Sequence, residues 1–139
     1  MKAFLVFALV LGISAAALIK PLTDEEKQKV RAAHEKCQTD PATAVPKGTL
    51  KLIHEGHASE VQNLRAHMLC MAKITKVIKE DGKLNVDLLK TKWAEHYDAA
   101  DLAKLQHCLV DKDTPEETAV ALAKCQREAV GSILHHHHE

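Results

Sequence analysis

The chain of 139 residues has the length of one domain, and its 19 basic and 19 acidic side chains cancel, which excludes the strongly basic footprint of a nucleic-acid binder. Aromatic residues make up 3% of it, and Phe4 and Phe7 lie near the start, so Trp93 and Tyr97 alone serve the rest. That scarcity argues against base-stacking RNA readers and strand-rich sandwiches, leaving an all-α domain rich in Ala, Leu, Lys and Glu.

Met1-Lys2, the apolar run Ala3 to Ile13 and the small residues Ser14 to Ala17 have the anatomy of a secretory signal peptide over residues 1–17. The apolar stretch is shorter than the roughly 20 residues that span a bilayer, and Lys20-Pro21 ends it. No later segment reads as a membrane span. Residues 18–131 form the helical domain, and 132–139 form a His-rich tail. In an exported chain, Cys37, Cys70, Cys108 and Cys125 are an even set expected to pair, with three connectivities open.

Thr23-Asp24-Glu25-Glu26 is a capping box, so a helix starts near residue 24 and runs through Val30, Ala33 and Cys37 before Pro41. Pro46 to Glu55 reads as a short helix carrying Leu50 and Ile53, closed by Gly56. Val61, Leu64, Met68, Met71, Ile74 and Ile78 recur at helical spacing behind a second capping box, Ser59 with Gln62. The reading is one long helix, or two joined near Cys70. Asp81-Gly82-Lys83 is a turn. Asn85 then caps a helix bearing Val86, Leu89 and Trp93, and Asp98 caps one aligning Leu102, Leu105, Cys108 and Leu109. Thr114-Pro115-Glu116-Glu117 combines an N-cap, a proline at the first helical position and a capping-box glutamate. The helix it opens carries Ala119, Leu122, Cys125 and Ala129, and Gly131 ends or breaks it.

Motifs for chemistry are sparse. His54-Glu55-Gly56-His57 has two histidines three residues apart rather than four, with a glycine between them and no third ligand, so it reads as a solvated helix end. His34-x-x-Cys37 and His67-x-x-Cys70 invite a zinc reading, but a secreted chain favours disulfides, and no metal or other cofactor is assigned. There is no Gly-x-Ser-x-Gly and no phosphate loop, and beyond residue 17 only Ser59 and Ser132 are serines, so no enzyme is read here.

The cysteine pattern resembles that of insect odorant-binding proteins. Cys37, Cys70, Cys108 and Cys125 match the family's first, third, fourth and sixth cysteines, while Ala66 and Glu116 stand where the second and fifth would be. The chain is therefore similar to the four-cysteine, "minus-C" subgroup. His67-Met68-Leu69-Cys70, Thr114 to Ala119 and Lys124-Cys125 are especially similar to beetle hemolymph carriers of that subgroup. The resemblance implies six helices around an internal apolar cavity, with bridges Cys37–Cys70 and Cys108–Cys125. It also implies a non-catalytic carrier of a small hydrophobic molecule in hemolymph or sensory lymph.

Candidate pocket residues are Ile53, Leu64, Met68, Met71, Ile74, Leu89, Trp93, Leu105, Leu109 and Leu122. A wall built mainly from Leu, Ile and Met with so few aromatics favours flexible aliphatic ligands over flat aromatic ones. Histidine is the side chain whose charge changes around physiological pH, so acid-triggered release through His34, His54, His57, His67, His96 and His107 stands beside the plainer reading of surface histidines without function. The alternative class is a secreted helical interaction factor whose apolar stripes are core only; neither reading names a protein partner.

Overall fold

The computed structural model describes residues 22–131. The signal-peptide and tail assignments, and the side chains of Leu50 and His54, lie outside the described residues. Among the described residues the domain is all-α, with six α-helices, and its only extended pairing is an isolated antiparallel bridge between Ile78 and Leu84.

Helix α1 spans Asp24–Gln38 and begins as its sequence dictates: Thr23 Oγ1 accepts from the Glu26 N–H at 3.1 Å, and Glu26 Oε1 accepts from the Thr23 N–H at 3.0 Å. Val30, Ala33 and Cys37 form its buried stripe. Helix α2, Thr49–His54, is shorter than Pro46 to Glu55 because Gly48 in front of it takes a left-handed conformation. Gly56 closes it with φ +83°.

Helix α3 spans Leu64–Ile74, which corrects the expectation of a longer helix or a joined pair. Ser59 and Gln62 make no capping box; residues Ala58–Glu60 form a 3₁₀ turn instead. The helix starts at Asn63, whose backbone is left-handed (φ 64°) and whose side-chain amide donates to Pro41 O at 3.0 Å and Ala44 O at 3.2 Å. At the other end Lys76 is left-handed (φ 69°), and Ile78 leaves the helix to pair with Leu84. Between Ile78 and Leu84 the Asp81-Gly82-Lys83 turn forms, and the Lys83 N–H donates to Asp81 Oδ1. A Cβ on Gly82 would sit 2.8 Å from Pro115 Cγ, so this turn must lie hard against the start of the last helix.

Helix α4 (Val86–His96) is capped by Asn85 and α5 (Ala99–Leu105) by Asp98, both as expected. A 3₁₀ turn, Gln106–Cys108, ends α5's run, so Cys108 and Leu109 lie beyond the α-helix that was expected to carry them. Helix α6, Pro115–Gln126, is capped by Thr114 with Pro115 in its first turn, then widens into a π-helical turn over Arg127–Gly131. The expected return bond from Glu117 is not made. The neighbouring Glu116 instead accepts from Arg65 Nε of α3 at 3.1 Å.

Helix α3 is the centre of the domain, packing most extensively against α6 and next against α1. Disulfides Cys37–Cys70 and Cys108–Cys125 both form, joining α1 to α3 and the end of α5 to α6. Arg65 of α3 and Glu116 of α6 face each other across the α3–α6 contact. The Arg65–Glu116 pair crosses there, with side chains 55% and 41% exposed, so it contributes at most about 1 kcal/mol.

Candidate functional site

All ten candidate pocket residues come together in one continuous apolar cluster. Met71, Leu89, Trp93 and Leu105 are sealed in its centre, and Leu64, Met68 and Leu122 are buried beside them. Ile53, Ile74 and Leu109 are half-buried at its edge. Among the described residues, two polar atoms lie unmet inside: Trp93 Nε1 and Gln126 Oε1 have no hydrogen-bond partner, while Gln126 Nε2 is 3.5 Å from the Tyr97 hydroxyl.

The concavity best suited to a ligand opens beside this cluster, between α1, the end of α3 and the start of α4, with a volume of about 560 Å³. Ala32, Ala33, Ile74, Val77 and Leu88 give it an apolar floor, and Lys29, Lys36, Lys76, Lys92 and Glu26 stand around it together with Thr75. Of the ten sequence candidates, Ile74 alone lines this recess. A second depression, about 790 Å³, lies between α5 and α6, but it spreads open to solvent and is walled chiefly by Lys104, Lys112, Lys124 and alanines.

The lining of the first recess carried a signal. Glu26, Lys29, Ala33 and Lys36 follow one another at steps of three, four and three, the spacing of a single helical face. This charged edge adjoins the buried stripe of Val30, Ala33 and Cys37. The partners from α3 and α4, Ile74 to Val77 with Leu88 and Lys92, depend on packing across the chain and have no local signature.

Glu26 organises the rim. Its Oε2 accepts from His96 Nε2 at 3.1 Å and from Lys92 Nζ at 3.4 Å, tying the first turn of α1 to α4. Burial works against its charge, but the Thr23 N–H, His96 and Lys92 outweigh burial and hold the carboxyl at about 2. Glu26, Glu95 and His96 lie close enough to share a cation, yet Lys92 Nζ already sits 3.4 Å from Glu26 and 3.8 Å from Glu95. The cluster is thus a salt-bridged brace rather than a metal centre.

A second polar junction lies where α1 crosses α3. His67 is completely buried; its Nδ1–H donates to Thr43 O at 2.8 Å, and its Nε2 accepts from His34 Nδ1 at 3.3 Å. The two rings meet edge to face beside the Cys37–Cys70 bridge. Burial lowers both pKa values; the Thr43 bond opposes that in His67 and Glu35 opposes it in His34. The folded state therefore resists a charge that the unfolded chain accepts near pH 6.5. Stability is complete above that pH and falls as pH drops through it. Thermal melts at about pH 7.5 and about pH 5.5 are expected to differ by several degrees, and replacing His34 by Gln is expected to shrink the difference. An unchanged difference would assign the acid sensitivity elsewhere.

Fold and bridges together define a small disulfide-linked helical binding protein, and the chain belongs to the PBP/GOBP family, whose model matches residues 19–129. That is a family of small secreted odorant-binding carriers. Among curated proteins the chain is similar to the B2 protein of Tenebrio molitor, 27% identical over 109 residues that cover 77% of this chain and 84% of the relative. It is likewise similar to the B1 protein of the same beetle, 26% identical over 109 residues, 77% and 82% of the two chains. No solved structure matches. Among the described residues, no helix is long and apolar enough to cross a membrane.

Proposed function

We propose that this chain is a secreted, non-catalytic carrier that takes up a small flexible aliphatic molecule, solubilises it and releases it unchanged in an extracellular fluid such as hemolymph or sensory lymph. The observation that carries the reading is family membership joined to an apolar-floored recess continuous with the core. Its volume of about 560 Å³ falls inside the range of small-molecule sites. Ile74 connects the recess to the candidate wall residues behind it. The unmet Trp93 N–H and Gln126 carbonyl supply a donor and an acceptor in an interior that is otherwise mostly aliphatic. Residues 1–17 are removed on export in this reading, and residues 18–131 carry the ligand.

Displacement of a fluorescent apolar probe from delipidated protein tests this directly. Alkanes, acyclic terpenoids and fatty acids are expected to compete at micromolar concentration, ahead of flat aromatics of equal size. Binding of no apolar probe overturns the carrier reading. It would favour instead an interaction protein whose apolar stripes serve only as core. Trp93, the sole tryptophan, reports in the same titration: a shift in its emission places the ligand against the inner cluster.

A further inference from the structure

The recess floor is apolar, but its border carries an excess of one charge. Four lysines, Lys29, Lys36, Lys76 and Lys92, face a single carboxylate, Glu26. Glu26 is already engaged by Lys92 and His96, and Lys29 pairs with Glu25 at 3.5 Å. Lys36 and Lys76 have no carboxylate partner among the described residues, and both are exposed at the mouth. Among the described residues, Lys76 is one of two non-glycine residues with a left-handed backbone, a conformation that glycine or asparagine adopts at lower cost. The Asn85 side-chain amide donates to its carbonyl at 3.1 Å and helps hold it there.

We infer that this recess binds an aliphatic carboxylate, the chain lying on Ala33, Ile74, Val77 and Leu88 and the headgroup meeting Lys36 and Lys76. The inference rests on the carrier reading and specifies its ligand class. Charge complementarity selects the anion, since two unpaired ammonium groups at the edge of an apolar surface attract a carboxylate and leave a neutral headgroup with ordinary hydration. The floor selects the tail, because among the described residues no aromatic side chain lines the recess to stack on a flat ligand.

Calorimetry of the full chain with dodecanoate and with 1-dodecanol, at about neutral pH where the acid is ionised, separates the possibilities. Dodecanoate is expected to bind about tenfold more tightly, the advantage two solvent-exposed ion pairs supply, and the advantage is expected to shrink as salt screens them. In the Lys36→Gln/Lys76→Gln double variant dodecanoate weakens to the affinity of dodecanol, and dodecanol itself is unaffected. Both positions are exposed, so the folded domain tolerates the changes, and the dodecanol control verifies it. Equal affinity of the two ligands for the unaltered chain overturns the carboxylate assignment and leaves the carrier reading standing. So does a dodecanoate preference that survives in the double variant. Binding of neither ligand overturns both.

Discussion

Replacing Cys37 and Cys70 with alanine is expected to lower the unfolding free energy by about 4 kcal/mol on the chain-entropy model, with the melting temperature falling by about 15 °C or more. The bridge closes a loop of 34 residues, from one end of α1 to the last turns of α3. Within it lie the six-residue α2 and the 3₁₀ turn at Ala58–Glu60, elements too short to hold themselves. Inside the loop, the Asn63 amide donates to Pro41 O and Ala44 O, and His67 to Thr43 O. Cys37 is fully buried, so truncation also leaves a small void next to the histidine pair. The Cys108–Cys125 bridge encloses only 18 residues, and its removal is expected to cost about 3 kcal/mol. Denaturant titration of both double variants gives the comparison. A loss below about 1 kcal/mol for the larger loop would mean that the unfolded chain already keeps α1 and α3 together.

Substitution of Glu26 is the second large effect, and it depends on pH. The carboxylate does three jobs: it closes the capping box at Thr23, receives His96 and Lys92 from α4, and forms part of the recess rim. Held at about 2 against an ordinary 4.5, it contributes about 3 kcal/mol of stability by linkage. Its folded value is depressed, so the unfolded chain takes up the proton first as pH falls. The contribution is complete above about 4.5 and is lost as pH approaches about 2. Glu26→Gln retains the side-chain oxygen for Thr23 but removes the charge. Its deficit relative to the unaltered chain is expected to be about 3 kcal/mol at neutral pH and to close as pH nears 2. Glu26→Ala is expected to cost about 1 kcal/mol more, the worth of the lost cap bond. A deficit that does not vary with pH would show that the ion pairs add nothing beyond packing.

Helix starts were legible because a cap is a local device. Thr23, Asn85, Asp98 and Thr114 each accept a backbone N–H three residues on, and each was recognisable from its side chain and the residues that follow. The run from Val61 to Ile78 shows where such reading stops. Its apolar spacing continues through both ends of α3, but Asn63 reverses the chain to reach Pro41 and Ala44, about twenty residues earlier. Lys76 turns it again so that Ile78 can meet Leu84. Periodicity records which residues prefer the interior; it does not record which element carries them there.

The same division holds for the site. The ten candidate pocket residues share one core, since hydrophobic burial depends on side-chain type and helical phase, both present in the sequence. Whether a residue backs a recess or fills solid core depends on the gap left between helices. That gap opens where α1 passes the end of α3 and the start of α4, and its walls are drawn from segments far apart in the chain, from Glu26 to Lys92. An all-α, four-cysteine chain with sparse aromatics and helix caps at Thr23, Asn85, Asp98 and Thr114 was legible in the residues alone, because these follow from composition and from contacts within a few residues. That His34 meets His67, that Glu26 braces α4, and that Lys36 and Lys76 flank one apolar floor came from packing across the chain. Each of these arises from long-range packing whose geometry no local pattern contains.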